Sequence, residues 1–353
     1  MHEERQGDAV RVFITLICVA LLLSGCTDGG IPAQNQSNQT PVKNGTPIDI
    51  IIKNQTNQTI EKNDTDGFEP PPPPPPENET GLGYTYDPGQ MLGVFFIDVG
   101  GPGLQGDAIL IKKGDLDILV DAGPKEKGAK VADFLKAHDV DDIEVFISTS
   151  ADPRRYGGMD EVAGSFEIEE FWWTGDDFDD PDYTAAVQMM SEKAEAVKIV
   201  EEGYGADLNG VDVTVLNPPK ADRFDDVNND AIVMRVADRG FSMILTSGIQ
   251  TGAQGLLLNS KKDLLMADVL QAPYYGVGAG TSVIGVFLIN AKPETVVISG
   301  SSDESAANGG SRDPFKRLMD QYGIRYYENY VNGTLRITSD GESYLVQALG
   351  KGQ

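Results

Sequence analysis

The pieces Phe96-Ile97-Asp98-Val99-Gly100, Gln105-Gly106-Asp107-Ala108-Ile109-Leu110-Ile111 and Ile118-Leu119-Val120-Asp121-Ala122-Gly123 follow one another near the start of the apolar part of the chain and decide how the rest is read. Residues 94–97, 108–111 and 117–120 are short apolar runs separated by Gly-rich or charged turns, the pattern of successive strands in a meander. Val131, Phe134 and Leu135 then fall at helical spacing within 129–137, and 145–148 reads as another strand. Further on, strands expected at 170–173, 211–216, 231–236, 241–245, 268–271, 295–298, 324–327 and 334–337 are interleaved with helices expected at 183–197, 283–290 and 314–322. A strand meander followed by alternation predicts an α/β (α+β) fold of two mixed sheets covered by helices, not a doubly wound Rossmann sheet. No internal repeat is visible.

Outward from this body the composition narrows the function. The 353 residues include 55 acidic and 28 basic side chains, a formal net charge of -27. That balance argues against nucleic acid as a partner, because duplex binding rests on Lys and Arg displacing counterions from phosphates; it suits a self-repelling, soluble surface. Two Cys and two His exclude a disulfide framework and an ordinary His-rich or Cys-rich metal site.

The N-terminal quarter has a different texture. Residues 12–25, VFITLICVALLLSG, are uncharged but too short to span a bilayer, which takes about twenty residues. The run ends in Leu23-Ser24-Gly25-Cys26 and resembles the lipobox of prokaryotic lipoproteins, which implies a signal peptide over 1–25 and a lipid on Cys26. Glu3, Glu4 and Asp8 offset Arg5 and Arg11, so the segment before the run is not clearly positive, and an uncleaved N-terminal anchor gives the same topology. Residues 26–90 read as an unfolded linker, because a polar tract with few apolar residues cannot offset chain entropy by burial. It carries N-x-S/T sequons at Asn35, Asn38, Asn44, Asn54, Asn57, Asn63 and Asn78, and Pro70 to Pro76 form a polyproline II rod of roughly 20 Å. These features predict a glycosylated stalk that holds a 91–353 domain on the extracytoplasmic face of the cell membrane, in the manner of an archaeal surface protein.

The three pieces quoted first resemble the opening of the metallo-β-lactamase superfamily, and most closely the extracytoplasmic domain of ComEC-type DNA-uptake proteins. Val213-Thr214-Val215-Leu216-Asn217-Pro218-Pro219, Asn228-Asn229-Asp230-Ala231-Ile232-Val233 and Ile244-Leu245-Thr246 continue the likeness in order, so that it covers nearly all of the body. The resemblance implies an αββα sandwich and, in the relatives, a metal-dependent hydrolase. The metal-binding motifs depart from the family. Its T-H-x-[HD]-x-D-H-x-G-G loop corresponds to Thr149-Ser150-Ala151-Asp152-Pro153-Arg154-Arg155-Tyr156-Gly157-Gly158, with Ser150 and Arg155 in the histidine places and Arg154 in that of the aspartate. The family's T-G-D is Thr246-Ser247-Gly248 and its H-H-G is Tyr274-Tyr275-Gly276; only Asp152 keeps an oxygen ligand. A hydrolytic centre needs several imidazoles and carboxylates to hold its cations. Guanidinium groups stay protonated and repel a cation, and a neutral phenol is a poor ligand.

The expectation is therefore a pseudoenzyme with no cofactor and no metal, tethered at the cell surface, with a binding or scaffolding role toward an envelope protein or a small anionic ligand. Two readings of the altered loop stay open: ordinary surface sequence, or a new anion groove built from Arg154, Arg155, Tyr274 and Tyr275. The rival class is a metal-dependent phosphodiesterase or nuclease using Asp98, Asp107, Asp121 and Asp152. Two further features have plain structural readings. The acidic run Asp176-Asp177-Phe178-Asp179-Asp180-Pro181-Asp182 lacks EF-hand spacing and reads as a solvated loop. His138, at an expected helix C-terminus, is favoured there as a cation.

Overall fold

The structure is a computed structural model that describes residues 50–53, 90–277, 282–302 and 311–351. The expected signal segment, Cys26, the seven sequons and the polyproline rod lie outside the described residues. Among the described residues no helix is long and apolar enough to cross a membrane.

Two mixed sheets stack face to face. The first has nine strands in the order β1 (Ile50–Lys53), β16 (Ser343–Ala348), β15 (Leu335–Ser339), β2 (Leu92–Phe96), β3 (Ile109–Lys113), β4 (Leu116–Val120), β5 (Ile143–Ile147), β6 (Ile168–Trp173) and β7 (Ala196–Ile199). Its pairings are antiparallel from β1 to β4 and parallel from β4 to β7. The second has seven strands in the order β14 (Arg325–Glu328), β13 (Thr295–Ile298), β12 (Val269–Gln271), β11 (Phe241–Leu245), β10 (Val233–Asp238), β9 (Val211–Asn217) and β8 (Gly205–Leu208). It is parallel from β14 to β11 and antiparallel from β11 to β8.

Strand periodicity of two sorts the apolar side chains into layers. Ile109, Ile111, Val145 and Ile147 meet Val213, Val215, Met243 and Leu245 in the apolar cluster shared by the two sheets. Leu110 and Phe146, one residue out of phase, belong to a second cluster with α1 (Gly128–Ala137), α3 (Met159–Ala163) and α4 (Pro181–Lys193). A third cluster joins the other sheet to α5 (Thr251–Ser260), α6 (Ser282–Ala291) and α7 (Asp313–Tyr322). Both faces of both sheets are thus covered, which is why the strands read as continuous apolar runs. The layers are helix, sheet, sheet, helix, the architecture expected from the sequence. All three clusters lie within residues 92–349, so the compact unit from Thr46 to Gln353 contains its own core.

Three local differences from expectation have physical causes. The helix expected over 183–197 ends at Lys193, and residues 196–199 form the edge strand β7 instead, where Lys198 reaches Glu170 at 2.7 Å. Ile50–Lys53 pairs antiparallel with β16 inside the tract expected to be wholly unfolded. That run of three isoleucines is a strand former, and the open edge of β16 offers it unpaired backbone groups. Two short helices, α2 (Pro153–Tyr156) and α8 (Asn329–Asn332), carry too few residues to show a helical period in the sequence.

Candidate functional site

Asp107 precedes β3, Asp121 follows β4, the segment Ser148–Asp152 follows β5, and Thr246–Gly248 follows β11. Gln271 ends β12, and the turn of Tyr274 and Tyr275 comes directly after it. These loops collect at one end of the sandwich, outside the carboxyl ends of β4, β5, β11 and β12, where open α/β sheets present their ligand sites. Gly106 allows the approach of the 106–108 segment, since a Cβ there would strike the carbonyl oxygen of Arg154 and the ring of Pro124.

Asp152 has two tasks. It is the N-cap of α2, its Oδ1 accepting from the Arg154 backbone N–H at 3.0 Å, with Pro153 at the first helical position. The same carboxylate takes Nε and Nη2 of Arg154 at distances down to 2.6 Å, and Nη1 of Arg155 at 2.7 Å. Burial alone raises the Asp152 carboxyl, but Arg155 and Arg154 outweigh it and hold the group below the usual range.

Arg155 is wholly buried, at 0 % exposure. Its Nε donates to Asp107 Oδ2 at 3.1 Å and lies 4.0 Å from Asp121 Oδ2, and its guanidinium lies 4.7 Å from the centre of the Tyr275 ring. The cation is thus inside a ring of three carboxylates. Asp121 accepts the Thr149 N–H at 2.8 Å and the Thr149 hydroxyl at 2.7 Å. With that hydrogen given away, the Ser247 hydroxyl donates to Thr149 Oγ1 at 2.6 Å. Burial pushes Asp121 up to about 7, against the opposing pull of Arg155 and the two Thr149 hydrogen bonds. Gln271 fixes the far side, donating from Nε2 to Asp107 Oδ1 at 3.0 Å while its Oε1 accepts from the N–H groups of Thr246 and Ser247.

Backbone strain gathers here. Asp121, Ser247, Tyr274 and Tyr275 all have positive φ, at 59°, 50°, 46° and 60°. For side chains of this size each such conformation costs on the order of 1–3 kcal/mol and persists only where the surroundings impose it. The Tyr274 N–H donates to Ser247 O, and Arg312 Nε donates to Tyr275 O at 3.0 Å. Several buried polar atoms have no protein partner among the described residues: Arg155 Nη2, Tyr275 Oη, Ser150 Oγ and Asn228 Oδ1.

The residues present do not fit a metal centre. Among the described residues no group of three or more His, Cys, Asp and Glu side chains could hold an ion. The reason is visible at the carboxylates, whose centre is filled by the Arg155 guanidinium. Gly248 stands where the resemblance implies a bridging aspartate, and a Cβ there would come within 3.0 Å of Arg155 Nη1 and 2.9 Å of Asn228 Oδ1. The absence of a side chain at 248 and the presence of a long cation at 155 are two sides of one packing arrangement.

The structure does bring Arg154, Arg155, Tyr274 and Tyr275 together, Arg154 lying 5.4 Å and 5.2 Å from the two ring centres. It corrects the idea that all four line an open groove. Arg155 and Tyr275 are buried, because the guanidinium is consumed by carboxylates and the ring lies over it. Arg154 alone reaches the surface, on the wall of an open hollow of about 620 Å³ whose other charged lining residues are Lys125, Glu126, Asp160 and Asp182. Of the four carboxylates in the rival hydrolase reading, Asp107, Asp121 and Asp152 converge on Arg155, while Asp98 turns to the N–H of Gly100 and to Lys130.

The acidic run meets Asp225 and Asp226 around an open hollow and caps α4 through Asp180. His138 caps α1, its Nδ1 donating to Phe134 O at 2.8 Å, and stacks on the Phe134 ring. The sequence reading missed Thr149, Ser247, Gln271 and Asn228, whose types are ordinary and whose roles arise from long-range contact. It also missed the cap, although Asp152-Pro153 is a recognisable helix-start signal.

No protein-family model matches the chain, and a search of curated proteins finds no match. Solved structures do match. The metallo-beta-lactamase fold protein YhfI from Bacillus subtilis is 12 % identical at a TM-score of 0.49, over 71 % of this chain and 100 % of that one. A metallo hydrolase from the hyperthermophilic archaeon Ignicoccus hospitalis is 12 % identical at a TM-score of 0.47, over 69 % of this chain and 98 % of its own. A metal-dependent hydrolase from Parabacteroides distasonis is 11 % identical at a TM-score of 0.41, over 68 % and 93 %. The fold described above stands on this chain's own strand order and registers.

Proposed function

We propose that this chain is a membrane-anchored cell-surface protein whose metallo-β-lactamase-like sandwich, of ComEC-type descent, binds or scaffolds rather than hydrolyses. One observation carries the reading: the guanidinium of Arg155, fully buried, lies between Asp107 and Asp152 with Asp121 at 4.0 Å. It supplies from within the chain the positive charge that a hydrolase of this fold takes from metal ions. A fixed guanidinium neutralises carboxylates, but it offers no open coordination position and cannot lower the pKa of a bound water. The partner, on this reading, is an envelope protein or a small anion that meets the hollow beside the loop, where Arg154 and Lys125 stand with Glu126, Asp160 and Asp182.

The decisive experiment is elemental analysis of the purified protein, with phosphodiester cleavage measured with and without a chelator. Well under one equivalent of Zn, Mn or Fe and no chelator-sensitive cleavage is the expected result. Stoichiometric metal or chelator-sensitive turnover overturns it in favour of a metal-dependent phosphodiesterase or nuclease. Arg154→Gln is expected to weaken binding of a small anion such as phosphate, with a modest loss of stability because Asp152 loses one of its two arginines while Arg155 remains; unchanged binding removes the hollow from the proposal. Intact-mass measurement of the native protein tests lipid on Cys26 and glycan on the sequons at Asn35, Asn38, Asn44, Asn54, Asn57, Asn63 and Asn78.

A further inference from the structure

We propose that the face formed by α5, α6 and the segment between α5 and β12 rests on a lipid surface, an inference that builds on the membrane-anchored reading above. In α6, Ile284, Phe287, Leu288 and Ala291 pack into the core, while Val286 and Ile289, three residues apart, are each close to half exposed. The Ala267 N–H donates to Ala291 O, so the segment that carries the exposed Leu264 and Met266 runs against the C-terminal end of the same helix. Four large exposed apolar side chains therefore lie on two segments joined by a backbone hydrogen bond. Exposed apolar side chains gathered in this way mark an interaction site more often than does a single one.

Charge selects the occupant. Residues 251–268 and 282–294 hold three lysines, Lys261, Lys262 and Lys292, against three acids, Asp263, Asp268 and Glu294, a neutral local balance of 3 − 3 = 0 in a chain whose net charge is -27. Asp268 accepts from the Ser242 N–H, and Glu294 lies 3.7 Å from Arg325. Lys261 is bridged to Glu202 at 3.0 Å; Lys262 and Lys292 are exposed and pair with no carboxylate among the described residues. Apolar side chains flanked by lysines, whose stems extend along apolar surface while the ammonium stays at headgroup level, match the interfacial zone of a bilayer. A second copy of this acidic chain would bring the same lysines against each other.

The anchor makes a weak surface sufficient. Between Cys26 and Ile50 lie 23 residues (27–49), whose covalent reach is at most about 80 Å. Tethering at that range gives an effective concentration of about millimolar order, so the face need bind free lipid only weakly to be engaged on the anchored protein.

Two measurements test the proposal. The unit from Thr46 to Gln353, which contains its own core, is sedimented with vesicles of phosphatidylcholine containing one-fifth phosphatidylglycerol at millimolar lipid. Weak co-sedimentation is expected, reduced severalfold by Val286→Asn with Ile289→Asn and by Lys262→Glu with Lys292→Glu, all at exposed positions. Hydrogen exchange of the full chain reconstituted into the same vesicles is then expected to be slower over 264–267 and 286–291 than in the free unit. No co-sedimentation together with unchanged exchange overturns the proposal, as does a concentration-dependent dimer abolished by the same apolar substitutions. If the full chain fails to enter vesicles, the anchor reading fails by itself, and the sedimentation of the free unit still decides the face.

Discussion

The two ends of the sandwich solve the same problem, a buried charge, in different ways. At one end the strands are joined by tight hairpins. Asn209 and Gly210, with φ of 51° and 75°, make the two-residue turn between β8 and β9, and Gly114 and Arg239 supply the positive φ between β3 and β4 and between β10 and β11. Two carboxylates are buried there, each with a lysine: Asp238 with Lys113 at 3.1 Å, Arg239 Nε also lying 3.3 Å away, and Asp117 with Lys112 at 2.7 Å. At the other end long loops carry strain at Asp121, Ser247, Tyr274 and Tyr275, and one guanidinium faces three carboxylates. A matched pair is ordinary architecture. An excess of acid around one central cation is the form of a site, here closed by a residue of the chain itself.

The largest effect should come from Arg155→Met, which leaves Asp107 buried without its cation and Asp152 with Arg154 alone. A loss of about 3–5 kcal/mol in denaturant unfolding at pH 7.5 is expected. A loss under about 1 kcal/mol would mean that the loop end is not organised around this charge. Next is Gly248→Ala, whose Cβ would press on Arg155 Nη1 and Asn228 Oδ1. We expect about 1–3 kcal/mol of destabilisation in the native protein and little in an Arg155→Ala background, so a double-mutant cycle reads the coupling directly. Additive losses would separate the two positions.

At the hairpin end Lys113→Met should cost less, about 1–2 kcal/mol, because Arg239 remains beside Asp238. An equal loss at both ends would erase the contrast. The pH dependence of stability apportions the ends further. Asp121 is raised to about 7 by burial, and at the opposite end burial raises Asp117 to about 6 and Glu144 to about 7. In each case the folded state holds a proton that the unfolded state has lost, so the stability these three groups contribute is full below about pH 4 and is lost as pH rises to about 7. Asp152, held low by its arginines, contributes stability that is lost as pH falls below the carboxylate range. Asp121→Asn should flatten part of the loss toward pH 7; an unchanged profile would place the whole of that dependence at the hairpin end. The smallest effect is expected for Tyr275→Phe, which removes a buried hydroxyl without a protein partner and keeps the ring over Arg155: within about 0.5 kcal/mol in thermal unfolding.

How much of this was legible beforehand varies with range. Strand positions 94–97, 117–120, 241–245 and 295–298 were readable because each strand is buried on both faces and its apolar run is local. β7, β8 and β16 were not, since short or half-exposed strands leave little pattern. In the site, the departures at Ser150, Arg155, Gly248 and Tyr274 could be seen one by one. Gln271 could not, because its role rests on Asp107, 164 positions away in the chain.

By itself the amino-acid sequence determined the layered α/β class, the acid excess and the exchange of imidazoles for guanidinium and phenol groups, all properties of residue type and short-range period. Only the tertiary structure decided where the new cations go: Arg155 inward, held by Asp107 and Asp152, and Arg154 to the surface. Adjacent residues that share Asp152 met different fates because helix α2 turns Arg155 inward to Asp107 and leaves Arg154 at the wall of the hollow, and burial of a charge depends on partners that come together only when distant strands are stacked.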